Sequence, residues 1–240
     1  IMLSDIKLNK VLFLDIETAP VKYNFEELSP EFQNLWAEKT AWQRKEDFTA
    51  SEFYKKKAGV MAEFSKVICI SVGYMFLEKG ENHLRIKSFY AADEKELLSD
   101  FILLLNKEFN TKSHILCAHN GKEFDFPFLA RRILVNELKL PKILEIAGKK
   151  PWEINHLDTM DLWRFGDYKN YTSLKLLTTL FNIPTSKDDI DGAQVSRVYW
   201  EEKDLERIKI YCQKDTITVA QLLLKYKGED LIKEENIEFV

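Results

Sequence analysis

Val11-Leu12-Phe13-Leu14 runs directly into Asp15-Ile16-Glu17-Thr18, a short apolar stretch that ends on two acids. With Lys10 before it and Pro20 after it, this run predicts a buried strand ending near position 17. Side chains two apart on a strand point to the same face, so both carboxylates can meet one ligand. A charge in a hydrophobic strand is costly without a partner, which marks Asp15 and Glu17 for a metal or a substrate. Glu94-x-Glu96 repeats the spacing, but on what reads as a solvated helix start.

The rest of the chain gives the strand its neighbours. Val67 to Tyr74 reads as a central strand, and Leu84 to Tyr90 alternates as a half-exposed partner. Asp93 and Glu96 open a helix carrying Leu97, Leu98, Phe101 and Leu105. His114 to Ala118 is a third short strand, and a helix with Phe128, Leu129 and Ile133 on one face follows it. Ser173 to Asn182 and Leu205 to Lys227 are further helices, the second stopped by Gly228. Strands first, then strand–helix alternation, predict an α/β fold with helices on both faces of the sheet. Between the first two strands, Ser29-Pro30 starts a helix, and Leu28, Phe32, Leu35 and Trp36 recur at helical spacing. Residues 21–64 are therefore expected as a mostly helical insertion in a single domain spanning 1–240, with a C-terminal tail about 229–240.

Composition removes several classes of function. Only 8 glycines occur, and no GxGxxG or GxxxxGK[ST] string, which argues against a phosphate-cradling loop. Asp and Glu total 39 against 35 Lys and Arg, so the net charge is −4, and any action on nucleic acid must come from a local site rather than a basic surface. Cys69, Cys117 and Cys212 have no CxxC spacing, which argues against a zinc site and a disulfide framework and suits a reducing cytoplasm. The longest apolar stretch, Val67 to Leu77, is too short to span a membrane.

Two further strings carry possible chemistry. Asn120-Gly121-Lys122-Glu123-Phe124-Asp125 follows the third strand, and Asp125 falls in the first turn of the next helix. Either Asp125 complements the helix dipole and Asn120 turns the chain, or both face a site. In Tyr211-Cys212-Gln213-Lys214-Asp215, phenol and carboxylate lie four apart on one helical face, whether incidentally or by function.

Taken together, DxE, NxxxFD and YxxxD in that order resemble the DEDDy group of 3′–5′ exonucleases. The nearest likeness is the predicted exonuclease family related to the proofreading domain of family-B DNA polymerases. It runs from about residue 10 to 227 and extends to Glu63 through Ser71, Leu157 through Leu162 and Asp191 through Val195. The DEDDh group would need histidine where Ile210 stands. The resemblance implies a ribonuclease H-like mixed sheet in which Asp15, Glu17, Asp125 and Asp215 hold two divalent cations and Tyr211 positions the attacking water. Charge repulsion among four converging carboxylates agrees with bound cations, and all-oxygen ligands favour Mg²⁺ or Mn²⁺. It also implies release of nucleoside 5′-monophosphates from the 3′ end of nucleic acid, single-stranded DNA foremost, with no membrane partner. Thr18 offers its backbone to the terminal nucleotide or simply turns the strand end. Asn120 lines the site or the turn, and Phe124 belongs to a base-stacking platform or to the core. The rival readings are a 3′–5′ exoribonuclease and a non-catalytic nucleic-acid-binding module. The second is weakened by the presence of all four acids and the tyrosine.

Overall fold

The computed structural model describes residues 2–167, 169, 171–184 and 190–240. In chain order the elements are β1 (Val11–Pro20), α1 (Pro30–Arg44), α2 (Ala50–Lys57), β2 (Ser65–Glu78), β3 (Glu81–Tyr90), α3 (Glu94–Glu108), β4 (Ile115–Ala118) and α4 (Asp125–Val135). They continue with β5 (Leu157–Asp158), α5 (Thr159–Arg164), α6 (Leu174–Leu180), the short α7 (Val195–Arg197), α8 (Leu205–Lys227) and β6 (Ile237–Phe239). The six strands form one mixed sheet in the order β5-β4-β1-β2-β3-β6. β2 is antiparallel to both β1 and β3, whereas β4 is parallel to β1, β5 to β4 and β6 to β3. β2 alone therefore runs against the others. The hairpin Glu78-Lys79-Gly80-Glu81 reverses the chain tightly, while the parallel returns to β4 and β5 pass through α3 and α4, as parallel pairing requires.

Alternation along β1 divides the core in two. Leu12, Leu14 and Ile16 pack against Leu97, Leu98, Phe101 and Leu105 of α3 and Phe126, Leu129 and Ile133 of α4. Val11 and Phe13 face Val219, Ala220, Leu223 and Leu224 of α8. Helices thus cover both faces of an α/β sheet. By the same parity Asp15 and Glu17 continue the Val11–Phe13 row and emerge on the α8 side. Gly73 of β2 seats α8 closely. A Cβ there would stand 3.1 Å from Ile86, 3.2 Å from Leu84 and 3.3 Å from Thr216.

The segment between β1 and β2 has its own small core, in which Trp36 meets Tyr54 and Phe64 edge-on and donates its indole N–H to Ala50 O at 2.9 Å. Ser29 caps α1 as its sequence suggests, and a Thr49–Glu52 capping box starts α2.

Two details differ from the sequence reading. Glu94 is not solvated. It is buried with Arg132, because α3 begins against α4 and brings a cation over it. Residues 229–240, expected as a tail, supply β6. Gln221 clamps the Ile232 backbone through 2.8 and 2.9 Å hydrogen bonds, and Arg85 pairs with Glu238. A three-residue strand is too short to show a period.

Candidate active site

At the end of β1 a bulge between Glu17 and Thr18 breaks the register with β2. Such irregularities re-aim side chains at strand ends. Asp15, Glu17 and Asp215 of α8 each offer a carboxylate oxygen, and those atoms lie within 4.8 Å of one another. Glu17 is 8% exposed, and Asp15 Oδ2 is buried with no hydrogen-bond partner among the described residues. Burial first, then the charges of Glu17, Asp215 and Asp125, push the Asp15 carboxyl well above the ordinary carboxylate range. Glu17 is pushed the same way, by burial and then by Asp215, Cys69 and Asp125. Cys212, one turn before Thr216, donates its thiol to Asp15 O at 3.3 Å and so ties α8 to β1. No sequence pattern singles it out.

Asp125 belongs to the same electrostatic group, though it lies outside the trio's spacing. Its position is set by the turn after β4. Asn120 takes a left-handed φ of 63°, a conformation asparagine tolerates better than most residues. Gly121 then packs so closely that a Cβ would fall 2.5 Å from that of Ala118 and 2.9 Å from the Phe126 ring. Glycine is required there. Asp158, the N-cap of α5, accepts from the N–H groups of Asn120 (2.9 Å), Lys122 (3.0 Å), Met160 (3.0 Å) and Asp161 (3.3 Å). It holds the turn from behind. Asp125 then opens α4, where the nearby Ile16 backbone of β1 acts to lower its carboxyl. Burial nevertheless pushes its carboxyl up to about 8, with Asp158 and Asp215 adding to the rise.

Tyr211 packs beside the acids. Burial, then the charges of Asp215, Glu17 and Asp15, and a hydrogen bond to Asp215 hold its phenol far above its ordinary value. It stays protonated and acts as a donor. Thr18 is turned away, its hydroxyl donating to Gly59 O at 2.6 Å, which leaves only its backbone at the strand end. Asn120 Oδ1 is buried and has no partner among the described residues. Phe124 is partly buried and packs on Phe128, ring centroids 5.3 Å apart, in the α3–α4 core.

The geometry defines a class: an α/β protein whose central strand brings two carboxylates against a third from α8, beside a half-buried tyrosine. Residues 60–235 match the family described as "Predicted 3'-5' exonuclease related to the exonuclease domain of PolB", and the chain belongs to that family. The matched span includes Asp125, Tyr211 and Asp215, and begins after Asp15 and Glu17. Among the described residues no helix is long and apolar enough to cross a membrane.

Proposed function

We propose that the protein is a two-metal-ion 3′–5′ exonuclease that releases nucleoside 5′-monophosphates one at a time, with single-stranded DNA as its substrate. The observation that carries this reading is the convergence of Asp15, Glu17 and Asp215 on one another, with a buried Asp15 oxygen left unpartnered. Buried polar atoms are ordinarily paired, and three clustered acids without a cation repel. The donor set is all oxygen and fits hard cations, Mg²⁺ or Mn²⁺. Asp15, Glu17, Asp215 and Asp125 would hold them. When bound, two such ions supply activation of water and stabilisation of the leaving 3′ oxygen.

This chain's own groups do the remainder. Tyr211, kept protonated by burial and its acidic neighbours, orients water by hydrogen bonding and does not take its proton. Asp125, in the first turn of α4 beside the Ile16 backbone, brings its carboxylate to the end of β1. In this reading the Thr18 backbone and Asn120 Oδ1 meet the terminal nucleotide, and Phe124, packed on Phe128, supports the turn from the core side. We read residues 1–240 as one domain of the ribonuclease H-like kind, with 21–64 inserted after the first strand. The sheet in which β2 alone is reversed supports that reading. Three free, buried cysteines suit a reducing cytoplasm.

The test uses 5′-labelled single strands with Mg²⁺ or Mn²⁺. Products should shorten stepwise from the 3′ end, a closed single-stranded circle should resist, and a ribo-oligomer of the same sequence should be degraded more slowly. Rapid cutting of the circle overturns the exonuclease reading, and preference for the ribo-oligomer overturns the substrate.

A further inference from the structure

A cavity of about 350 Å³ opens beside the end of α5, lined by Trp163, Arg164, Asp167, Tyr171 and Thr172. Three contacts join its walls and α5, which carries Asp161, to the β4–α4 turn that carries Asn120 and Asp125. His119 Nε2 donates to Thr172 O at 3.0 Å, Lys122 reaches Asp161 at 3.0 Å, and Glu123 lies 3.7 Å from Arg164. Because β1, β4 and β5 are parallel, the cavity and the acidic cluster both follow the C-terminal ends of strands, along one edge of the sheet.

Arg164 is the unexplained residue. Its side chain is 13% exposed, yet its Nε has no hydrogen-bond partner among the described residues. The Glu123 carboxylate is beyond hydrogen-bonding distance and mostly in solvent, so it neutralises the guanidinium weakly. A planar, permanently charged fork left in this condition suits a phosphate. Asp167 Oδ1 accepts from Lys169 N, and the Asp167 N–H donates to Arg164 O, which closes the turn. Aromatic surface surrounds the cation. Tyr171 is 67% exposed, and Trp163 is braced by stacking on Tyr226. Phe165, between two lining residues in the chain, is 82% exposed and holds a left-handed φ of 44°. That conformation costs energy, and burial of the ring does not offset it.

We propose that this groove is the track for the single strand upstream of its 3′ end, with Arg164 on a backbone phosphate and the rings of Tyr171 and Phe165 under bases. A positive group with exposed rings is the chemistry that holds single-stranded nucleic acid without reading its sequence. The proposal rests on the exonuclease reading for the direction of the strand, and not for the existence of the groove.

The test measures anisotropy of a labelled oligothymidylate of about eight nucleotides with Ca²⁺ present, for wild type, Arg164→Gln, Tyr171→Ala and Phe165→Gly. Each variant should bind about tenfold more weakly. Phe165→Gly should melt no lower than wild type, because glycine adopts positive φ freely, and it decides the matter if Arg164→Gln fails to fold. With Mg²⁺ in place of Ca²⁺, the ratio of kcat/KM for the octamer to that for a dinucleotide should fall by a similar factor. Equal octamer affinity in all four proteins, or none in wild type, overturns the groove whether or not the protein is a nuclease. Variant-sensitive binding by a wild type that hydrolyses nothing upholds the groove and removes the exonuclease reading instead.

Discussion

Two groups of acids withdrawn from solvent stand on either side of β1, and they have been treated in opposite ways. Glu94 is 8% exposed and fully satisfied. Its carboxylate accepts from Val67 N (2.7 Å), Arg132 Nε (2.9 Å) and Nη2 (2.6 Å), and Asn136 Nδ2 (2.9 Å), while Arg132 Nη1 donates to Ala62 O. The network ties α3, α4 and the start of β2 into one block. Glu17 and Asp125 are as deeply buried, with Asp15 and Asp215 half-buried, and the four carboxylates stand within one another's field. A charge with a complete set of partners holds structure. Charges set against each other at a strand end are tolerated where a ligand completes them.

The contrast is sharpest in activity. Asp15→Ala or Asp125→Ala should leave no measurable release of nucleotides, because both would remove a cation ligand. Tyr211→Phe keeps the ring and loses one hydroxyl, so turnover should fall about 10²–10⁴-fold and remain detectable. A silent Tyr211→Phe across the pH range sinks the water-orienting role. Stability should show the reverse ranking. Arg132→Met strands the Glu94 charge and should lower unfolding free energy by about 3–5 kcal/mol in urea titrations. Asp15→Asn, measured without divalent ions, should lower it little or raise it. If Asp15→Asn were the more damaging change, the acids at the end of β1 would be structural after all.

The sequence disclosed the two groups unequally. Asp15-x-Glu17 was legible because an apolar run ends on it, and α8 was legible from Leu205 to the Gly228 stop, so Tyr211 and Asp215 could be put on one face. Local periodicity carries that much. Glu94 was misread because its own neighbours, Asp93 and Glu96, look like any solvated helix start. Its burial comes from Arg132, 38 residues later, and no local pattern announces a partner across the fold. Cys212 and Arg164 escaped for the same reason. One acts through a thiol on a distant carbonyl and the other through a turn beside a cavity, and both depend on tertiary placement. The β6 strand was lost to its brevity.

Divalent ions give the next largest effect. A ligand that binds only the folded state adds RT ln(1 + [L]/Kd), about 2.7 kcal/mol at a hundredfold excess over Kd. Mg²⁺ or Mn²⁺ should therefore raise the melting temperature of wild type, and much less that of Asp125→Asn, while Arg132→Met, destabilised elsewhere, should keep its metal-induced rise. Equal rises in wild type and Asp125→Asn remove Asp125 from the ligand set.

The smallest effect is the dependence of metal-free stability on pH, and its sign separates a repelling acid from a paired one. Asp125 has its folded value pushed up to about 8, from an ordinary value of 3.8. Between those values the folded protein keeps a proton that the unfolded chain releases, so stability falls as pH rises. The contribution is whole below the unfolded value, shrinks on the way up and is gone once pH has passed the folded value. In EDTA, the melting temperature of wild type should thus fall more steeply between pH 5 and pH 8, a window set by those two values, than that of Asp125→Asn, which has no proton to keep there. The two curves should run parallel above that window. Parallel curves throughout, in thermal melts at matched ionic strength, would mean that Asp125 is stabilised as a carboxylate without a cation, and the distinction between the two groups of acids would lose its fourth member.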